Sequence, residues 1–266
     1  MLKRVAVLCS ERAPGLLYLL NRAADRGVTF EIVCVMTSDP SFAEEVRVER
    51  RGIPTLSHPI RSFAGSRQAY DARTAKLLEP FMPDLILLDG YLYLLTQPML
   101  DAYRSRIINL HFSDLTLRLP DGAPRFPGIR AVKRALAEGM TETRATVHLV
   151  NEQVDAGPPL VLSRAYPTSP LVGELRTLDA TDAVRAYTFA HQQWMMRTAS
   201  GPLMAAALRL IATNRIDLDR IAREDPASSV PWELDRDGYL IEPRASQMPL
   251  GPQTSHAEAR SAKAGA

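Results

Sequence analysis

Arg4-Val5-Ala6-Val7-Leu8-Cys9 is an unbroken β-prone run close to the start of the chain. It is too short for a helix and apolar at successive positions, as expected of a strand covered on both faces. Such a strand belongs in the middle of a parallel sheet, where helical crossovers must separate it from its neighbours. The sequence on its carboxyl side meets that demand. Leucines at 16, 17, 19 and 20, with a charged close at Arg22, Asp25 and Arg26, predict a helix from Gly15 to near Gly27, and residues 30–36 predict a second strand. A charged helix over 41–51 follows, with Glu44, Glu45 and residues 47–51 as its solvated face, then Gly52, a short strand near 54–57 and a helix over 66–82 closed by Pro83.

Further along, the patterns predict strands over 84–88, 106–111, 143–150 and 159–165, and helices over 97–103, 128–139 and 182–214. Gly201-Pro202 should break or kink the last helix. Strands alternating with helices indicate an α/β fold, a Rossmann-like parallel, partly mixed sheet with helices on both faces. Ligands then bind beyond the carboxyl ends of the strands. No internal repeat is present; residues 1–245 read as one domain including the long carboxyl-terminal helix, and 246–266, rich in Ser, Ala, Gly, Pro and Gln, as a flexible tail.

The 266 residues, 46% of them hydrophobic, suffice for a core without disulfide or metal support and exclude a disordered chain. The 32 basic and 30 acidic residues nearly cancel and form no block of like charge, which argues against nucleic-acid and membrane-surface partners. No stretch reaches the roughly 18 apolar residues of a membrane span. The two cysteines, Cys9 and Cys34, lie in apolar runs, so a reducing cytoplasm is expected.

Two polar clusters stand where chemistry is expected. Asn109 and His111 are two apart at the end of a predicted strand, so their side chains leave the same face. Residues 150–159, Val-Asn-Glu-Gln-Val-Asp-Ala-Gly-Pro-Pro, connect two strands and by composition alone are an ordinary turn. The order of parts changes that reading: Asn109-x-His111, then Pro127-Gly128 opening a helix, then Thr146-Val147-His148-Leu149-Val150 and Asp155-x-Gly157-Pro158. Ser66-Arg67, Ala69-Tyr70-Asp71, Pro83-Asp84 and Gly90-Tyr91-Leu92 extend the pattern.

In this order and spacing, from the first residue to about Tyr166, the chain resembles the 10-formyltetrahydrofolate-dependent formyltransferases, above all those acting on phosphoribosylglycinamide in purine biosynthesis. The resemblance implies a formyltransferase fold and transfer of a formyl group from 10-formyltetrahydrofolate, as cosubstrate, to the primary amine of a small acceptor. Asn109, His111 and Asp155 match the family's catalytic trio. An uncharged amide donor and an imidazole beside a carboxylate suit a tetrahedral intermediate whose oxygen gains charge while the amine loses a proton. Asp155 is expected to favour the charged form of His111. Tyr91, Leu92, Tyr93, Leu94 and Leu95 resemble the pterin-binding segment, with Val150, Asn151 and Glu152 completing the slot and Arg67 placed to meet the folate's glutamate tail. From the residues alone, Leu94 and Leu95 equally suit sealing the sheet edge.

The acceptor side departs from the family. Where a glycine-rich loop would hold a phosphate, this chain reads Ser10-Glu11-Arg12-Ala13-Pro14-Gly15. Pro14 has no NH and Glu11 repels phosphate, while Arg12 could compensate, so the pocket formed by Ser10, Glu11, Arg12, Gly90 and Phe112 is expected to be altered. Phe112 stands where proline is usual, and the connection 113–126 is longer than the family's and expected at the mouth of the site, as a lid or a reshaped entrance. His148 reads as a hydrogen-bonded sheet residue, and His58, His191 and His256 lack partners at metal spacing, so no metal is expected. A homodimer is compatible with the pattern. Alternatives are an enzyme formylating another amine such as an amino sugar, a formyltetrahydrofolate deformylase, which a chain opening directly on its first strand disfavours, and a folate-binding module without activity.

Overall fold

The computed structural model describes residues 2–22, 28–49 and 52–243. The tail read at 246–266, the stop at Gly27, residues 50 and 51 of the charged face, and His256 lie outside the described residues. The first half of the chain alternates β1 (Lys3–Cys9), α1 (Leu16–Arg22), β2 (Phe30–Thr37), α2 (Pro40–Glu49), β3 (Thr55–Ser57), α3 (Arg67–Leu78), β4 (Leu85–Leu88), α4 (Gln97–Ala102) and β5 (Ile107–His111). After it come α5 (Ala131–Ala137), β6 (Glu142–Thr143), β7 (Thr146–Leu149), β8 (Pro159–Leu162) and β9 (Tyr166–Pro167). The chain continues through α6 (Leu171–Thr177), α7 (Thr181–Ala212), α8 (Leu218–Ile221), β10 (Trp232–Leu234) and β11 (Leu240–Ile241).

Among the described residues the main sheet runs β11-β10-β8-β7-β5-β4-β1-β2-β3. Strands β3, β2, β1, β4 and β5 are mutually parallel, and β7 is antiparallel to both β5 and β8. From β1 the chain first builds outward through β2 to β3 and then returns to add β4 and β5 on the other side. The direction of winding therefore reverses between β1 and β4, which opens a crevice at their carboxyl ends.

The successive apolar residues of β1 serve both faces. Val5, Val7 and Cys9 enter the core beneath α1 and α7, while Ala6 and Leu8 enter the core beneath α3 and α4. Val5, Val7 and Leu8 each contribute roughly 1.5–3 kcal/mol when fully buried, which is why a seven-residue strand can anchor the sheet. No helix among the described residues is long and apolar enough to cross a membrane.

Three elements differ from expectation. The single strand read over 143–150 is divided: Thr143 pairs with Tyr166 in a separate two-stranded sheet, and the Ala145 NH donates to the Ser163 hydroxyl before β7 begins. The helix read from Gly128 starts at Ala131, because the Gly128 NH is taken by the Asp155 carboxylate at 2.7 Å and Gly128 has φ +78. Helix α7 runs unbroken through Gly201-Pro202. There the missing side chain of Gly201 lets α7 approach α1: a Cβ at 201 would lie 2.4 Å from the Cβ and ring of Tyr18. Gly201→Ala should therefore cost about 1–3 kcal/mol by overpacking, lowering Tm by roughly 3–10 °C, whereas Gly173→Ala in α6, with nothing within 4 Å, should be neutral or slightly stabilising. Thermal melts of both variants check this.

Candidate functional site

A cavity of about 430 Å³ occupies the crevice, within the range of small-molecule sites. The loop after β1 supplies Glu11, Arg12 and Pro14; the loop after β4 supplies Gly90 and residues 91–95; the end of β5 supplies Asn109, His111 and Phe112. Val150, Asn151, Glu152 and Asp155 close one side, and Gln192 and Met196 reach in from α7. Leu92, Leu94, Ile129 and Val154 stand exposed along its walls. Leu94 thus does not seal the sheet edge, whereas Leu95 packs against the core under α3 and α4.

Residues 150–158 fold back along the sheet so that Asp155 meets the end of β5. The Val150 NH donates to the Ile107 carbonyl and the Leu149 NH to the Pro158 carbonyl. This return is possible only with glycine at 157, where a Cβ would lie 1.8 Å from the Leu149 carbonyl oxygen. Asp155 itself has φ +52, a left-handed conformation that aspartate tolerates better than most residues.

Four polar side chains then converge. His111 Nδ1 lies 3.6 Å from Asp155 Oδ2, and its Nε2 lies 3.0 Å from the Phe126 carbonyl oxygen. A carbonyl only accepts, so Nε2 carries a proton and Nδ1 faces the carboxylate. His148 Nδ1 donates to the Leu149 carbonyl at 3.0 Å, leaving Nε2 to accept from the Asn109 amide at 3.1 Å; the same Nε2 is 3.6 Å from Asp155 Oδ1. His148 is hydrogen-bonded as expected of a sheet residue, but its partner is Asn109 and its ring forms part of the cavity wall. The β5–β7 register sets Asn109 opposite His148, a long-range pairing for which the sequence offered only the alternation of β7.

Burial alone would raise the Asp155 carboxyl, but the His148 ring, the His111 charge and the Gly128 NH outweigh it and bring the group down to about 2. For His111 burial wins: it lowers the imidazole despite the pull of Asp155 and of the Phe126 carbonyl, so the resting ring is neutral near pH 7. Asp155 does favour the charged ring, as expected, but burial of the ring outweighs it. His58 and His191 are lowered by burial in the same way. Their unfolded forms take up protons near pH 6.5 while the folded forms resist, so the stability these rings contribute is complete above pH 6.5 and declines as pH falls below it. Buried Asp89, whose carboxyl is raised to about 7, works in the opposite direction, so the check is between variants: urea unfolding at pH 7.5 and 5.5 should show His191→Gln losing less stability on acidification than the parent chain.

Two residues assigned to the site by sequence stand behind its wall. Ser10 is fully buried; its hydroxyl accepts from the Leu92 NH at 2.8 Å and its carbonyl from Thr37 and Ser38, which docks the β4 loop onto the β1 loop. Arg67 braces the 91–96 segment, donating from Nη2 to the Tyr91 hydroxyl (3.0 Å) and the Leu94 carbonyl (2.8 Å), with Nη1 2.7 Å from the buried Asp71. Asp71 in turn accepts from the Thr96 NH and hydroxyl. Arg67→Met would leave that buried carboxylate without its cation, for an expected loss of about 3 kcal/mol in denaturant unfolding.

No residue of the connection 113–126 lines the cavity. Leu115 and Phe126 are buried, and the Arg118 guanidinium donates to the carbonyls of Gly122 (3.1 Å), Ala156 and Pro226 (both 3.4 Å), so the segment is fastened and does not line the cavity. Its contribution to the site is the Phe126 carbonyl that orients His111. Of the residues not singled out by sequence, Gln192 and Met196 are brought in by α7, and Asp89, fully buried at the end of β4, accepts from the Gly15 NH at 2.8 Å at the start of α1. Burial pushes its carboxyl up to about 7 against the lowering effect of the Gly15 and Leu16 NH groups.

Comparison with known proteins bears on this arrangement. The chain is 34% identical over 170 residues to the trifunctional purine biosynthetic protein adenosine-3 of Drosophila melanogaster, covering 63% of this chain but only 12% of that protein's length. It is 28% identical over 169 residues to phosphoribosylglycinamide formyltransferase of Haemophilus influenzae, covering 64% of this chain and 75% of that one. A crystal structure of glycinamide ribonucleotide transformylase 1 from Symbiobacterium toebii superposes with a TM-score of 0.62 at 29% identity, covering 81% of this chain and 90% of that chain. A formyltetrahydrofolate deformylase from Pseudomonas syringae pv. tomato shares the fold, with a TM-score of 0.64 at 21% identity, covering 82% of this chain and 63% of that chain. Residues 3–168, more than half of the chain and including every member of the polar cluster, match the formyl transferase family, and the chain belongs to it.

Proposed function

We propose that the protein transfers the formyl group of 10-formyltetrahydrofolate to a primary amine of a small acceptor. The observation that carries this reading is the convergence of Asn109, His111 and Asp155 on one cavity wall, next to an apolar segment at 91–95 suited to a flat heterocycle. The amine nitrogen attacks the formyl carbon, forming the new C–N bond and placing negative charge on the formyl oxygen. Asn109 holds its amide toward the cavity, with His148 accepting one of its hydrogens and the other free for that oxygen.

The proton leaving the amine goes to Nδ1 of the neutral His111, and the ionised Asp155 at 3.6 Å stabilises the resulting imidazolium. Collapse of the intermediate breaks the bond to the folate nitrogen, which takes up the proton, so the formamide and tetrahydrofolate are released with no net proton change. A resting neutral ring and a permanently ionised carboxylate supply the base and its counter-charge at neutral pH. The reading also takes residues 1–245 as one catalytic unit working in a cytoplasmic one-carbon pathway.

The test is incubation of the protein with 10-formyltetrahydrofolate and a panel of primary amines, following tetrahydrofolate by absorbance and the formylated amine by mass. Tetrahydrofolate formed only with an amine, in equal amount to a formamide, is the expected result. Equal release without any amine would make the protein a hydrolase, and folate binding with no turnover would make it a binding module.

A further inference from the structure

We infer that the acceptor amine carries no phosphate at the end of the cavity formed by the loop after β1, because the protein's own carboxylate, Asp89, holds that position. The inference rests on the reading of the site as a formyl-transfer centre and specifies what that centre accepts. At the carboxyl ends of parallel strands a phosphate ordinarily sits on the NH groups of the strand-to-helix loop and the first turn of the helix. It needs those groups free, close approach of the backbone, and no neighbouring anion.

Next to the helix two of these conditions fail: the NH groups there are missing or already taken, and an anion stands beside them. In Ser10-Glu11-Arg12-Ala13-Pro14-Gly15 the Ser10 NH donates to the Gly90 carbonyl at 3.2 Å, Pro14 has no NH, and the Leu16 NH donates to the Ala13 carbonyl at 3.2 Å. The Gly15 NH donates to Asp89 Oδ2 at 2.8 Å. Asp89 therefore stands where an incoming anion would bind, fully buried, with Oδ1 lacking any hydrogen-bond partner. Protonated or not, its oxygen occupies the Gly15 NH, so a phosphate there would have to displace a fully buried side chain. The loop cannot open to make room either: Gly90 has φ +73, and a Cβ there would lie 2.5 Å from the Arg12 carbonyl oxygen, so the two loops are pressed together.

Charge points the same way. Glu11 presents its carboxylate on the cavity wall, and Gln192 faces into the cavity from α7. Two guanidiniums stand at this end, Arg12 on the cavity wall and Arg61, whose Nη2 lies 4.0 Å from Glu11 Oε1; both are exposed, so their fields are largely screened by solvent. A carboxylate, an amide and two solvated guanidiniums, neither of them buried, suit an uncharged hydrogen-bonding group, such as the hydroxyls of a glycoside, in place of a dianion.

Two acceptors with the same reacting amine separate the cases: glycinamide ribonucleotide and its dephosphorylated riboside, assayed with the full chain. The expected ratio of kcat/KM, ribonucleotide over riboside, is one or less; a ratio above about a hundred, typical of a site that uses the group, would overturn the inference. Glu11→Gln should raise the ratio several-fold, and an unchanged ratio would remove Glu11 from it. Binding is read independently of turnover by titrating inorganic phosphate and ribose 5-phosphate into isotope-labelled protein. No saturable shift of the amides of residues 11–16 is expected up to about 10 mM, and a saturable shift there refutes the inference even if neither acceptor is formylated. If the phosphate titration is silent but no amine is formylated, the formyl-transfer reading fails while the closed anion position stands.

Discussion

Asp155→Asn will fold and bind folate but transfer formyl groups about 10²–10⁴-fold more slowly, the span usual for losing an acid–base partner. The carboxylate faces two rings at once, His111 Nδ1 and His148 Nε2, each at 3.6 Å, and is ionised at any pH where the enzyme would work. Without its charge the imidazolium formed when His111 takes the amine's proton stands buried with no counter-ion. The amide oxygen introduced by this substitution still accepts from the Gly128 NH, so beyond the loss in kcat the stability cost is confined to the lost charge, about 2 kcal/mol for a carboxyl held at about 2. Asp155→Ala strands that NH and should additionally cost about 1–3 kcal/mol of folding free energy. The pH profile separates electrostatics from geometry. Because Asp155 raises His111 against the lowering effect of burial, removing the charge must lower His111 further and move the acid limb of kcat/KM to lower pH. A variant of normal turnover, or an acid limb that moves upward, would remove the proposed pairing.

Where the sequence could be read, one residue's surroundings were fixed by its near neighbours; where it could not, they were fixed by distant ones. Strand β1 is legible because Val5 to Cys9 are all apolar, and Asn109 and His111 because a strand places alternate residues on one face. Ser10 and Arg67 are polar residues beside the right loops, yet the sequence does not say whether a polar group turns to the ligand or to the backbone behind it; both turn to the backbone. The segment 113–126 looks like a lid because Pro, Gly and Asp crowd its middle, whereas burial of Leu115 and Phe126 at its ends decides its place. Asp89 passes unnoticed as one more strand-end residue until β4 is set beside β1, when its carboxylate meets Gly15, 74 positions away. The small elements α6, α8, β10 and β11 are too short to carry a periodic signal.

The cross-strand pair of Asn109 and His148 leads to the second large effect. Asn109→Ala removes the uncharged donor aimed at the developing oxyanion and should lower kcat about 10²–10³-fold, with folate KM changed little, since the donor acts mainly once charge has formed. His148 touches no reacting atom in this scheme; it accepts one amide hydrogen of Asn109 and thereby sets where the other points. It is a positioning residue, and His148→Gln, which offers an acceptor of nearly the same reach, should recover much of the roughly tenfold or larger loss expected of His148→Ala. The decisive measurement is the double variant. If His148 works through Asn109, then His148→Ala added to Asn109→Ala will cost little more, a coupling well beyond the few tenths of a kcal/mol seen for independent sites. Additive losses would mean that His148 acts by another route, and its contact with Asp155 Oδ1 would then be the place to look, because that carboxylate is the other group its Nε2 faces.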